Sequence, residues 1–187
     1  MWLILTSGQL PVGTNTFDLV NVVDDNGCPL SGTPIASTNI VVNPNPTVSL
    51  SSTPANQAIC EGDAVDISFD LSGTAPYTIN YEANGVPQTA ITTSNDPHTE
   101  QFVLNTTTLY EVTSVTDQNG CTGGTDTITI SVNPVPDYTY VADADEICEG
   151  DSITITFNTT PLPGPKSYQI DYTSDNPDDL SLSLIHI

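Results

Sequence analysis

The chain has 187 residues, 23 of them acidic against a single basic one, for a formal net charge of -22 at pH 7. That balance excludes nucleic acid and anionic lipid surfaces as partners, because both are bound through lysines and arginines that displace counterions. A hydrophobic fraction of 37%, spaced regularly and rich in Val, Ile and Thr, excludes an acidic random coil and predicts strands joined by Gly, Pro and Asn turns.

In chain order, "MWLIL" (1–5) is too short for a signal h-region and lacks a basic flank. No stretch approaches the ~18 apolar residues of a membrane span, so no membrane insertion by this segment is expected. "FDLVNVVDDNGC" (17–28) reads as a strand running into a turn, and "IVVNP" (40–44) as a strand ending at a proline. Seven short strands follow, predicted as A 47–52, B 64–71, C 77–82, C′ 87–93, E 99–105, F 109–116 and G 125–132. Alternation puts Val65, Ile67, Phe69 and Leu71 on one face of B, and Tyr77, Ile79 and Tyr81 on one face of C. Tyr110 and Val112 on F, and Ile128, Ile130 and Val132 on G, complete the candidate core. "DQNG" (117–120) supplies the F–G turn, with Asn-Gly suited to positive φ.

Much of this pattern occurs twice. "ICEGD" stands at 59–63 and at 147–151, and Ile153, Ile155 and Phe157 repeat Val65, Ile67 and Phe69. "YTINY" (77–81) returns as "YQIDY" (168–172), and "YEVTSVTDQNGC" (110–121) echoes "FDLVNVVDDNGC". "ISVNP" (130–134) repeats "IVVNP". The period is about 90 residues, the size of one supersecondary repeat in an array. Pro-rich joints at 43–46 and 133–136 divide the chain into 1–43, the end of one repeat, 44–134, a complete repeat, and 135–181, the start of another. Residues 182–187, "LSLIHI", break the pattern and resemble the translation of a sequencing adaptor, so they are set aside as a non-native tail.

Seven strands in about 90 residues fit an antiparallel immunoglobulin-like sandwich, with Tyr110 in the tyrosine-corner position. The expected fold class is therefore all-β: tandem Ig-like sandwiches, one complete and two partial. The run "ICEGDAVDISFDLSGTAPYTINYEANG", then "LYEVTSVTDQNGC" and "VNP", resembles the Ig-like/PKD-like tandem repeats of Bacteroidetes cell-surface proteins, including gliding-motility-associated adhesins. The resemblance implies a secreted, cell-surface, non-enzymatic structural or adhesive segment, whose partners are neighbouring repeats and a surface glycan or protein ligand. The alternative is a spacer or accessory Ig-like array of a secreted multidomain hydrolase.

Four cysteines, Cys28, Cys60, Cys121 and Cys148, lack CxxC spacing and read as structural disulfide partners in an oxidising compartment. Cys60 precedes strand B and Cys121 follows the F–G turn, so a strand of ~7 residues at ~3.3 Å each puts them roughly 20 Å apart. A disulfide tolerates a Cα separation of about 7 Å. That favours a staple from the "ICEGD" Cys of each repeat to the "NGC" Cys of its successor, with an intradomain bond through a different topology and free thiols as the alternatives.

Glu61, Asp63, Asp117, Asp143 and Asp145 gather at the predicted repeat ends, where Ca²⁺ would need six to eight oxygens. No EF-hand loop is present, solvated surface charge is the plain alternative, and no other cofactor is expected. For catalysis, His98 is the one histidine outside the tail, in the polar loop "SNDPHTE", with no GxSxG elbow to accompany it. Sugar binding would want exposed aromatics, and the one Trp, Trp2, lies at the chain start.

Overall fold

In a computed structural model that describes residue 8 and residues 10–159, the chain divides into two compact units, Met1–Asn133 and Pro134–Ile187. Trp2, Lys166, the "YQIDY" match at 168–172 and the tail at 182–187 lie outside the described residues.

The first elements are β1 (Gly13–Val23) and β2 (Pro29–Val42), an antiparallel hairpin with a register shift between Leu19 and Asn21. Next comes the sandwich. β3 (Thr47–Thr53), β5 (Ala64–Ser72) and β9 (His98–Val103) form a three-stranded sheet in the order β3-β5-β9. The facing sheet has β4 (Ala58–Cys60), β12 (Asp126–Asn133), β10 (Thr108–Thr116), β6 (Tyr77–Ala83) and β7 (Val86–Pro87) in that order. β8 (Ile91–Thr93) also pairs with β6, and β11 (Thr122–Gly123) with β10. These two sheets are the A-B-E and A′-G-F-C-C′ layers of an immunoglobulin-like β-sandwich.

Alternation builds the core between the layers. Val65, Ile67, Phe69 and Leu71 turn inward from β5 and meet Tyr77 and Ile79 of β6, Val112 of β10, and Ile128 and Ile130 of β12. Their neighbours in sequence, among them Asp66, Asp70 and Thr129, point outward as the pleat requires. A bulge between Val112 and Ser114 flips the parity of β10 and sends Val115 inward as well, where it is 0% exposed.

Three features depart from the expected strands. β4 was not foreseen: after Thr53 the chain leaves the first sheet and lays Ala58–Cys60 parallel to Ser131–Asn133 on the second. The expected C′ strand at 87–93 is broken into β7 and β8, because Pro87 has no N–H with which to extend an edge ladder. Tyr110 is not a tyrosine corner. Its ring joins an aromatic cluster, 4.7 Å from Phe102 and 6.4 Å from Tyr81, while Tyr77 donates its hydroxyl to the Gly73 carbonyl at 3.2 Å.

The second unit contains β13 (Tyr138–Ala142) paired antiparallel with β14 (Ile155–Thr159). Tyr140 stands opposite Phe157, as Leu50 stands opposite Phe69 in the sandwich. In the β1–β2 hairpin Phe17 stands opposite Thr38, as Tyr110 stands opposite Ile128. Two strands cannot enclose an apolar face. Leu19, Val22, Tyr138 and Tyr140 are accordingly exposed.

Ile67 is fully enclosed, so Ile67→Ala should destabilise the sandwich by about 2–5 kcal/mol. Urea denaturation followed by tyrosine fluorescence measures this. An unchanged midpoint would mean that the β5 face is not the core.

Candidate functional site

Among the described residues, no three His, Cys, Asp or Glu side chains come together as a possible metal set. The sequence-marked residues lie instead in two kinds of turn, one at each end of the sandwich.

The first is the Cys-Glu-Gly-Asp turn. Asp63 donates its backbone N–H to the Cys60 carbonyl at 3.1 Å, and Gly62 takes φ 85°, which a type II turn requires at its third position. The Asp63 carboxylate accepts from the Cys60 N–H at 3.4 Å, and Glu61 N–H donates to the Asn133 carbonyl at 2.8 Å. The same geometry recurs at Cys148–Asp151. There Asp151 N–H donates to Cys148 O at 3.0 Å, Cys148 N–H to Asp151 Oδ2 at 3.2 Å, and Gly150 has φ 91°.

The second is the Asp-x-Asn-Gly-Cys turn. Gly120 N–H donates to Asp117 O at 3.0 Å, and Asp117 N–H to Cys121 O at 3.1 Å. Asp117 Oδ1 accepts from the N–H groups of Asn119 (2.9 Å) and Cys121 (3.1 Å), and Oδ2 from Thr74 N–H (3.2 Å). The β1–β2 turn repeats this arrangement: Asp24 Oδ1 accepts from Asn26 at 2.9 Å and Cys28 at 2.8 Å. In both turns only the glycine has positive φ, 77° at Gly120 and 79° at Gly27, so the Asn-Gly pair is not a two-residue turn with both residues left-handed. Asn119 contributes its side chain instead, donating Nδ2–H to Thr74 Oγ1 at 2.9 Å and tying the F–G turn to the B–C loop.

The turns sit against the Asn-Pro joints. Cys121 Sγ is 3.9 Å from the Asn43 carbonyl, and a Cβ on Gly123 would fall 2.9 Å from the Pro46 carbonyl. The F–G turn thus rests on the incoming linker. Cys60 is the ladder partner of Asn133, where the outgoing linker begins. Between the two ends runs the eight-residue β12, roughly 25 Å long at ~3.3 Å per residue.

The sequence-predicted residues can now be located. Glu61 and Asp63 share the outgoing end, Asp117 is at the incoming end, and the structure does not bring them together. Asp117 is 6% exposed with its oxygens engaged by backbone N–H groups. Asp143 accepts from Thr154 N–H at 3.0 Å, and Asp145 is exposed. All four cysteines are free: Cys28, Cys60 and Cys148 are exposed and Cys121 is half-buried. His98 opens a strand rather than sitting in a loop. Its ring lies 6.1 Å from that of Phe69, and Nε2 is 3.2 Å from Glu100 Oε2.

Burial raises three tyrosine pKa values. Tyr110 is pushed up to about 12, chiefly by desolvation with a contribution from Tyr81. Tyr77 is raised by desolvation and then by Asp96 and Asp117, and Tyr81 by desolvation and then Glu100.

Comparison with known proteins places the complete sandwich. The model of the nucleoporin POM152 Ig-like domain matches residues 45–128. Nucleoporin pom152 of Schizosaccharomyces pombe is 37% identical over 90 residues, covering 46% of this chain and 7% of that protein. The chain thus spans a small part of that relative's length. These matches support an Ig-like fold, and they overturn the expected assignment to a Bacteroidetes adhesin. The relative is a nucleoporin rather than a secreted surface protein, so the expectations of a secreted, cell-surface adhesive segment and of a hydrolase spacer are withdrawn. The residues behind them are turn-formers: Gly62 and Gly120 take positive φ, and Asp63 and Asp117 accept backbone N–H groups of their own turns.

Asp117→Ala leaves the N–H groups of Thr74, Asn119 and Cys121 without their acceptor. It should cost about 1–3 kcal/mol in chemical denaturation, with Asp117→Asn in between. A wild-type midpoint for Asp117→Ala would show that these bonds do not hold the end of the sandwich. The raised tyrosines set a second expectation. Unfolded tyrosines ionise near pH 10 while Tyr110 holds its proton to about 12, so the folded state binds more protons across that window. Stability should therefore fall as pH climbs from about 10 to 12, and less steeply in Tyr110→Phe. Melting temperatures measured across that range check the sign, and a flat or rising profile would refute it.

Proposed function

We propose that residues 44–134 are one structural, non-enzymatic link in a tandem Ig-like array that serves a nuclear-pore assembly. The observation that carries this reading is the nucleoporin match, which falls on the one closed sandwich among the described residues. On this reading residues 1–43 and 135–181 belong to the flanking repeats. Their hairpins reproduce the strand pairing and the turn hydrogen bonds of the complete one. Neighbouring repeats and other proteins of the pore are the partners, met through β-sandwich surfaces carrying strong negative charge. Nucleic acid is not a partner, since one lysine in 187 residues cannot neutralise a phosphate backbone.

The test is a domain exchange in S. pombe pom152. A tagged protein whose matching stretch is replaced by residues 44–134 should remain at nuclear pores, whereas replacement by an unrelated β-sandwich should not support this. An intact first chimera that disperses from the pores would sink the reading.

A further inference from the structure

We propose that successive repeats are covalently stapled, the cysteine of each Cys-Glu-Gly-Asp turn to the cysteine of the Asn-Gly-Cys turn in the following repeat. This rests on the tandem-array reading and adds the chemistry of its joints.

One repeat puts its two cysteines at opposite ends. They cannot meet each other, because β12 holds Cys60 and Cys121 at opposite ends, roughly 25 Å apart, and a disulfide spans about 7 Å between Cα atoms. Each lies instead at an Asn-Pro joint. Cys121 places its sulfur 3.9 Å from the carbonyl of Asn43, the asparagine that precedes its own sandwich. Cys60 is the strand partner of Asn133, the asparagine that ends its own sandwich. Asn43 and Asn133 hold the same position in "VVNP" and "SVNP".

Carrying one repeat onto its successor therefore brings both cysteines to a single asparagine. The Cys60 type lies one strand spacing away, ~4.8 Å, and the Cys121 type places its sulfur 3.9 Å from its carbonyl. Both cysteines are held there by turns with their own hydrogen bonds, Cys60 N–H to Asp63 Oδ2 and Cys121 N–H to Asp117 Oδ1.

Closing the bond removes two protons and two electrons. The electrons pass to the disulfide of a carrier protein or of a low-molecular-weight thiol. One cysteine thiolate attacks that disulfide and releases a thiolate, and the second cysteine then attacks the mixed disulfide and releases the other.

The test inserts a second copy of residues 44–133 directly after Asn133 of the full chain. Cys28 and Cys148 are replaced by serine, as are the first copy's Cys121 and the second copy's Cys60. In a glutathione redox buffer, the remaining pair should form an intramolecular disulfide, read by non-reducing peptide mass mapping. A companion chain that keeps Cys60 and Cys121 only within the first copy should keep both thiols free. Free thiols in the first chain, or a Cys60–Cys121 bond in the companion, would overturn the staple. Rotational diffusion of the reduced chain separates the two readings. Copies that tumble independently count against the array itself, while docked copies with free thiols count against the staple alone.

Discussion

The ends of the sandwich depend on one crossing. Between Thr53 and Ala58 the first strand leaves the sheet that it shares with β5 and joins the one that ends at β12. Pro54 has no N–H to continue the ladder, and Gln57, with φ 55°, returns the chain by donating to the Pro54 carbonyl at 3.1 Å. Ser131 N–H then donates to Gln57 O at 2.8 Å, and Ile59 drops into the core at 6% exposure. One segment thereby covers the edge of β12, bridges both layers, and sets Cys60 beside the last residue of the domain. Without the crossing, the Cys-Glu-Gly-Asp turn would follow the edge of the first sheet and have no fixed relation to the outgoing linker.

The turns behave as portable units. The hydrogen bonds that close each turn on itself join residues at most four apart, around one glycine at positive φ. They consequently take the same form in the two-stranded hairpins as in the closed sandwich, although the hairpins lack a buried core. Asp117 differs from Asp24 in reaching beyond its own turn to Thr74, which makes the shared motif a brace between loops where a full domain surrounds it.

Strands B, C, F and G were legible because each buries one face against the opposite layer, and burial writes a period of two into the sequence. β4 was illegible for the converse reason: three residues, one buried side chain and a parallel partner far along the chain leave no alternation to read. The break in C′ and the extra inward residue Val115 likewise arise from an edge proline and a bulge, both decided by pairing geometry. The positions of the cysteines at opposite ends could be reasoned from strand direction alone. Their shared approach to the asparagine joints could not, because it required the crossing and the fold of Gly123 onto Pro46. The cellular setting was misread on residues such as Gly62, Asp63 and Asp117, which specify how a chain turns and carry no address.

The charge of the chain has a structural counterpart in those same residues. With one basic residue against 23 acidic ones, carboxylates have almost no cations to pair with, and among the described residues the one carboxylate close to a side chain able to carry positive charge is Glu100, beside His98. Asp24, Asp63, Asp117, Asp126, Asp143 and Asp151 instead accept backbone N–H groups, Asp126 reaching across the layers to Leu50 at 2.7 Å. A carboxylate is a stronger acceptor than a neutral group and takes several donors at once. The acidic side chains thus finish turns and strand ends that a chain this poor in lysine and arginine could not pin by salt bridges. Most of the remaining negative charge stays at the surface, where mutual repulsion opposes compaction and leaves apolar burial between the two sheets to hold the domain closed.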